Sequence, residues 1–424
     1  MTARFNLEPF VSPGYRRYFL ASALAATGLW IYSPALEWIV LTRTGQAGAV
    51  GLLQTALIVT VALATLPSGL LTHRYGARRM LFVSLAGLGG MVAAMAVVAW
   101  LNALTFGVAL GLTLVFGLFD GLFGVPAALL LAQVVPPRYL GSAIGLSYLT
   151  GGIGRLLGGP AGGAVLQVAG PTAAFVPAAV GLALAAVVIL TIPRGNDTER
   201  QPRGGATGSI RPALRWLRTE PAVVAVTALG ALSGASIFAY SALLPSVVRD
   251  LLGGDAATLG LLSGAGGVGS IAGSLAMEAI GRRVGRGRQV LWMFAASGLA
   301  VGALGLANVL PLALVLAAGI TFLSICFGGS AQLLVQTIPP PHLRAGVVAI
   351  YTFAFYCVLP IGTATVGGLA DAFGVVAVLL GMAALTGLGT AIVLIADRRL
   401  LDVDIDDHGE IVRRPERVAI NGGQ

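Results

Sequence analysis

The chain has 424 residues, 57% hydrophobic and only 10% charged, with a mean hydropathy of +0.90 and a formal net charge of +9. Soluble proteins carry about 25% charged residues and a single buried core stops growing beyond about 250–300 residues, so this composition excludes a water-bathed globule and most of the apolar surface must face lipid. All 26 basic residues are arginine; without lysine there is no P-loop or Schiff-base lysine, which excludes ATP-driven pumping of the Walker type within this chain.

Apolar stretches long enough to span a bilayer fall near 18–41, 48–71, 80–100, 104–134, 139–168 and 172–192. A second set follows near 221–247, 257–280, 289–307, 310–337, 345–371 and 374–396. The first run follows Arg16 and Arg17 but is too long for a cleaved signal and leads straight into further spans, so it is expected to remain as a helix. Twelve spans put both termini on one side. With the N-terminus in the cytoplasm, inside segments hold Arg4, Arg16, Arg17, Arg74, Arg78, Arg79, Arg138, the 194–218 connector, Arg282, Arg283, Arg286, Arg288, Arg344 and the tail. Outside loops hold only Arg43 and Arg249, with Arg155 inside a span, and this alternation is the positive-inside pattern of a protein with both termini cytoplasmic. The basic balance is therefore an orientation signal rather than a nucleic-acid footprint, and anionic lipid headgroups are its expected partner.

Residues 193–218, rich in Arg, Gly, Pro and Ser, divide the chain into bundles of six spans at 1–192 and 219–396, followed by a tail at 397–424 that is expected to be mobile. Within the connector, Ile210, Leu214, Trp216 and Leu217 with three arginines fit either a short interfacial helix or a solvated linker. The halves repeat in parallel order at an offset of about 203–204 residues. Gly69, Leu71, Arg78 and Arg79 match Gly273, Leu275, Arg282 and Arg283; Gln133, Pro136, Pro137 and Leu140 match Gln336, Pro339, Pro340 and Leu343; Tyr148 then falls opposite Tyr351. The expected fold is an all-α membrane protein of 12 transmembrane helices in two parallel-related six-helix bundles.

The run Gly69-Leu-Leu-Thr-His73-Arg74-Tyr-Gly76-Ala-Arg78-Arg79 resembles the signature loop between helices 2 and 3 of the major facilitator superfamily, and the resemblance extends over roughly 15–396. His73 stands where that signature carries an aspartate, so the aspartate's gating charge contact does not carry over. Gln133-Val-Val-Pro-Pro through Gly163, and Gln336-Thr-Ile-Pro-Pro through Gly374, are similar to the branch containing macrolide and siderophore exporters. Arg155-Leu-Leu-Gly-Gly-Pro160-Ala-Gly-Gly163 resembles the glycine-proline motif of antiporter helix 5, with its proline displaced by one position. What the resemblance implies is proton-driven efflux by alternating access, in a monomer of the cytoplasmic membrane, with helices 2, 5, 8 and 11 at the seam between bundles.

Ionisable side chains deep in a bilayer cost about 2.5–3.5 kcal/mol each, which marks Glu37, Asp120 and Arg155 as functional candidates. Asp120 and Arg155 lie at similar depth in their spans, so they could pair across helices 4 and 5, either as a switching contact or as a permanent structural one. Glu37 has no cationic neighbour close in sequence other than Arg43 near the helix end; it is either the proton-coupling acid or an interfacial partner of Arg43. Phe116, Phe123 and Ala127 share helical spacing with Asp120, and an acid among aromatics suits an amphiphilic or cationic cargo, although such rings commonly just pack. Tyr351, Phe355 and Tyr356 on helix 11 are equivalent candidates. Gly154, Gly158, Gly159, Gly162 and Gly163 with Pro160, and Gly269 with Gly273, form small-residue ridges expected either to slide at the seam or simply to pack.

No H-E-x-x-H or comparable catalytic cluster occurs, Cys326 and Cys357 support neither a disulfide framework nor zinc, and no cofactor or metal is expected. A sensor or scaffold would need a longer soluble segment. A secondary transporter is the expected function: by the resemblance, proton-coupled efflux of a small amphiphilic molecule such as a drug, macrolide or siderophore, with proton-coupled import of a small metabolite as the alternative, since residue spacing does not fix direction.

Overall fold

The structure is a computed structural model, described over residues 8–136, 139–193, 210–396, 399–405 and 411–413. Arg4, Pro137, Arg138, the 194–209 part of the connector and the tail arginines Arg414 and Arg417 lie outside the described residues. The chain forms two compact units, one comprising Met1–Gln201 with Leu244–Val268, the other Pro202–Leu243 with Gly269–Gln424.

In the first unit, α1 (Pro13–Thr44) starts on a Ser12 cap with Pro13 in its first turn, where a missing N–H costs nothing. Helix α2 (Ala47–Tyr75) turns into α3 (Ala77–Trp100) through Gly76 alone, whose φ of +85° only glycine adopts freely. The fourth span is broken into α4 (Phe106–Gly121) and α5 (Gly124–Val134). Helix α6 (Leu140–Leu190) contains two expected spans, divided where Gly170 takes φ +80° ahead of Pro171. Helix α1 packs along α6, α3 against α6, and α2 against α4, around a core that includes Tyr32, Leu36, Leu88, Phe116, Phe175 and Leu182. The C-terminal carbonyls of α6 are met by arginines: Arg78 donates to Ile189 and Leu190, and Arg17 to Thr191. Orphan carbonyls and the negative end of the helix dipole both favour cations there.

The connector helix α7 (Ile210–Leu217) leads to a seventh span of mixed geometry. It runs as α8 (Pro221–Ser233), a π-helical turn at Gly234–Phe238, a 3-10 turn at Ala239–Leu243, the short α9 (Leu244–Ser246) and a second π-helical turn at Val247–Leu251. Helices α10 (Ala256–Val284), α11 (Arg286–Leu304), α12 (Leu310–Thr337), α13 (Arg344–Phe373) and α14 (Val375–Ala396) follow. Among the described residues, ten stretches are long and apolar enough to cross a membrane; one of them, Leu149–Leu190, holds the two spans parted at Gly170. Helix α11, whose first turn carries Arg286, Arg288 and Gln289, is shorter and more polar, and counting it gives the twelve helices expected.

Two expectations are corrected. The tail is not wholly mobile: α15 (Arg399–Asp402) and an antiparallel pair, β1 (Val403–Ile405) with β2 (Ile411–Arg413), follow α14. Leu400 and Val403 are buried in the core of the second unit with Val223, Val290 and Leu291, and the Leu400 carbonyl sits directly over Gly287, a spot a larger residue would occupy. Helix α7 belongs to the same core through Ala213 and Leu217, so its apolar side is satisfied by protein while Leu214 and Arg215 stay exposed.

The second correction is to the repeat register. Gly285 caps α11 with φ +95° as Gly76 caps α3, which sets the structural offset at this turn to 209 residues. Arg78 and Arg79 open α3, whereas Arg282 and Arg283 close α10, so these arginine pairs are not equivalent. The buried Arg286 instead begins α11, bonded to Glu278, the Met277 carbonyl and Gln289, which in turn accepts from Ser330.

Candidate functional site

Asp120 lies next to the break in the fourth span. Proline at 126 cannot donate to the Leu122 carbonyl, and the turn at 122–123 leaves further carbonyls without helical partners. In lipid these must be satisfied from neighbouring helices. Ser68 of α2 donates to the Leu122 carbonyl at 3.2 Å, Thr65 to Gly121 at 3.3 Å, and Ser84 of α3 to Phe119 at 2.8 Å. Gly117 and Gly121 let α4 approach α2 so closely that a Cβ at either would strike Thr60 or the Val61 carbonyl. Asp120 is thus held at a rigidly supported helix end. No ion pair to it is present among the described residues.

Arg155 does not pair with Asp120. Its Nε donates to the Ser263 carbonyl of α10 at 3.0 Å, its guanidinium lies 4.6 Å from the centre of the Trp30 ring, and its outer face rests on Gly266, where a Cβ would come within 2.6 Å of Cζ. Stacking on an aromatic face and donation to a backbone oxygen both favour arginine over lysine. Glu37 is likewise turned away from Arg43, which donates instead to the Leu104 carbonyl at 2.7 Å. The Glu37 carboxylate accepts from Ser33 at 2.9 Å and from Gln54 of α2 at 3.1 Å, and lies within electrostatic reach of Arg155. It is therefore an interior group rather than an interfacial one.

Within electrostatic reach of both acids is Tyr32, buried and stacked on Phe116 with centroids 4.6 Å apart and planes 28° apart, with Phe175 against it at 6.2 Å. Phe116 is a wall of this cluster. Phe123 is not carried onto the same face by an unbroken helix, because it lies in the interruption itself, half-buried, with its N–H on the Asp120 carbonyl. Tyr351 belongs to the second unit, half-buried with its ring against Gly230, and Phe355 packs edge-on with Phe238 and Tyr356.

The glycine ridge divides between two neighbours. Gly154, Gly158 and Gly162 face α1, where added Cβ atoms would meet Ala26, the Thr27 carbonyl and the Ile31 carbonyl at 2.6–2.7 Å. Gly159 and Gly163 face the start of α10, with Gly260 and Ala256 opposite, and Pro160 rests on Gly264. Gly269 and Gly273 pack on α12 at Ala318 and Phe322 within the second unit. The reason is geometric: positions four apart share a helix face, while 158 and 159 point about 100° apart. In the signature loop Gly69, His73, Arg74 and Arg79 are exposed, Arg74 lies over the Tyr75 ring, Gly76 forms the turn and Arg78 caps α6.

Tyr32, Thr113, Gln54, Trp30 and Ser263 were not singled out from the sequence. Of these Gln54 left a signal, as an amide in an otherwise apolar span; a backbone acceptor such as Ser263 leaves none.

A bundle of apolar helices with ionisable groups held inside it is the arrangement of a membrane carrier, and the comparisons define which class. The family model for the Major Facilitator Superfamily matches residues 18–364, and the chain belongs to this superfamily. It is accordingly a multi-pass membrane transporter rather than an enzyme. It is 28% identical over 410 residues to the multidrug efflux pump Tap of Mycobacterium tuberculosis and of Mycobacterium bovis, covering 93% of this chain and 95% of the relative. In fold it is similar to a bacterial homologue of the human lysosomal transporter Spinster in an inward-facing, unoccupied conformation, with a TM-score of 0.70, 15% identity and coverage of 91% and 97%. It is also similar to a POT family transporter in complex with a thioalcohol-conjugated peptide, with a TM-score of 0.74, 12% identity and coverage of 91% and 96%.

Proposed function

We propose that the chain is a proton-coupled exporter of small, amphiphilic, cationic molecules, working by alternating access as a monomer in the cytoplasmic membrane with both termini inside. The observation that carries this reading is that neither acid is in an ion pair among the described residues: Arg155 Nε donates to the Ser263 carbonyl, and Glu37 accepts from Ser33 and Gln54. Such groups are costly in a bilayer and are kept for exchange of protons or cations. The resemblance of most of the chain to a multidrug efflux pump supports export.

In this reading Asp120, one helical turn beyond Phe116 on α4, receives the cationic end of the cargo through its carboxylate. Glu37 exchanges the proton. When Glu37 is charged it draws the guanidinium of Arg155 away from the Ser263 carbonyl, and the contact of α6 with α10 at Gly159 and Gly163 loosens. Protonation of Glu37 releases Arg155 to Ser263, and the contact closes again. The exposed loop 69–79 and the glycine faces are the moving surfaces, and the two six-helix halves joined by 193–218 are the moving bodies.

The test is growth protection in efflux-deficient cells across a panel of cationic, neutral and anionic compounds, with Asp120→Asn as control. Protection confined to cationic amphiphiles and lost in Asp120→Asn is expected. Increased sensitivity would make the protein an importer, and protection indifferent to Asp120→Asn would remove this residue from the site.

A further inference from the structure

Many of the described threonines donate to a main-chain carbonyl of the preceding turn, as Thr27, Thr60, Thr72 and Thr321 do to the carbonyl four residues earlier. Thr113 does not. Its Oγ1 is buried, with the residue 1% exposed, and meets no well-formed hydrogen-bond partner among the described residues. A buried hydroxyl left without a hydrogen bond is destabilising, so this side chain's departure from the i−4 carbonyl needs a reason.

The Tyr32 hydroxyl lies beside it. Tyr32 is 3% exposed and its ring is fixed by Phe116 and Phe175, an environment that phenylalanine would fill equally well without a buried hydroxyl. On α4, Thr113, Phe116 and Asp120 follow one another at helical spacing, so the stacked Tyr32 ring sits in the middle of a stripe with a hydroxyl at one end and an acid at the other. Glu37 is five residues further along α1, and both Glu37 and Asp120 lie within electrostatic reach of Tyr32. Among the described residues, Ser33 of α1, Gln54 of α2 and Arg155 of α6 also face this cluster; Ser33 and Gln54 donate to Glu37, and Arg155 donates to Ser263.

We infer that the hydroxyls of Tyr32 and Thr113, with water, form a hydrogen-bonded link through which Glu37 and Asp120 exchange a proton. The inference rests on the reading of these acids as the exchanging groups. Each transfer is balanced: the link accepts a proton from one carboxylic acid, passes one to the other carboxylate, and both hydroxyls end neutral. Cargo arriving at Asp120 would thereby discharge its proton toward Glu37 without opening the site to bulk water. Tyr32 and Thr113 are positioning residues for this transfer.

The test is infrared difference spectroscopy of reconstituted wild type between alkaline and acidic pH, following carboxylic C=O bands, because that stretch falls in frequency when the acid is hydrogen-bonded. Bands lost in Glu37→Gln and in Asp120→Asn assign the two acids. Tyr32→Phe, which keeps the stacked ring, and Thr113→Val, which keeps its shape, are each expected to move the Asp120 band upward toward the free-acid position. Unchanged bands in both variants would overturn the link while leaving the acids in their roles. If no band answers to Glu37→Gln or Asp120→Asn, neither acid takes up a proton, and the proton-coupled reading falls together with the link.

Discussion

Gly158→Ala adds one methyl group where the structure leaves no room for it. The new Cβ would lie 2.6 Å from the Thr27 carbonyl oxygen and 3.0 Å from Trp30 Cβ, against an ordinary contact of 3.4 Å or more. The obstacle is backbone, so α1 and α6 must part by roughly 0.8 Å along the most extensive helix contact of the first unit, and overpacking of this kind costs about 1–3 kcal/mol. Replacing a helical glycine by alanine returns about 0.8–1 kcal/mol of propensity. Gly90→Ala, on an exposed face of α3 with nothing within 4 Å, receives that gain alone. The two variants should therefore differ by about 1–3 kcal/mol in opposite directions from wild type, or several degrees in Tm at roughly 2–4 °C per kcal/mol for units of this size. Thermal melting of the detergent-solubilised protein, followed by the circular dichroism of its helices, reads the difference. Equal melting temperatures for Gly158→Ala and Gly90→Ala would refute the close α1–α6 approach.

Arg155→Lys should lower transport about tenfold or more, measured as dye export, because lysine retains the charge but neither the stacking on Trp30 nor the fixed fork of donors; wild-type rates would mean that charge alone suffices. Glu278→Ala should destabilise by about 2 kcal/mol by thermal melting, less than the 3–5 kcal/mol for a fully buried pair, because Arg286 is 5% exposed but Glu278 is 44% exposed. Asp255 caps α10, accepting from the Thr258 N–H and hydroxyl at 2.9 Å, and these bonds hold its carboxyl below the usual carboxylate range. Because the folded value is depressed, the cap's contribution is fully present above the ordinary range and is lost as pH falls through the folded value. Asp255→Ala should cost about 1 kcal/mol at neutral pH and little in strong acid; a pH-independent penalty would point to packing instead.

Span number and order were legible in the sequence because lipid imposes long apolar runs, and the paired arginine loops made the twofold repeat visible. The loop register was not, because arginine pairs at 78–79 and 282–283 look alike as letters, whereas only the positive φ of Gly76 and Gly285 shows where each helix begins. The three embedded charges could be named from composition and depth, but not their partners: Arg155 goes to a carbonyl, and every residue has one. Thr113 was invisible for a related reason, since its distinction from Thr60 or Thr321 is the absence of a bond. The tail at 397–424 is expected from sequence to be mobile, yet Leu400 and Val403, two apolar residues near its start, are enough to anchor that part.

Proton counting in proteoliposomes carrying a lumenal pH indicator addresses the division of labour between the embedded acids most directly. When a cationic amphiphile to which the protein confers resistance is added, wild type should move protons against the direction of cargo, Glu37→Gln should carry cargo without protons or not at all, and Asp120→Asn should do neither. Cargo-linked proton movement that persists undiminished in Glu37→Gln would contradict the account.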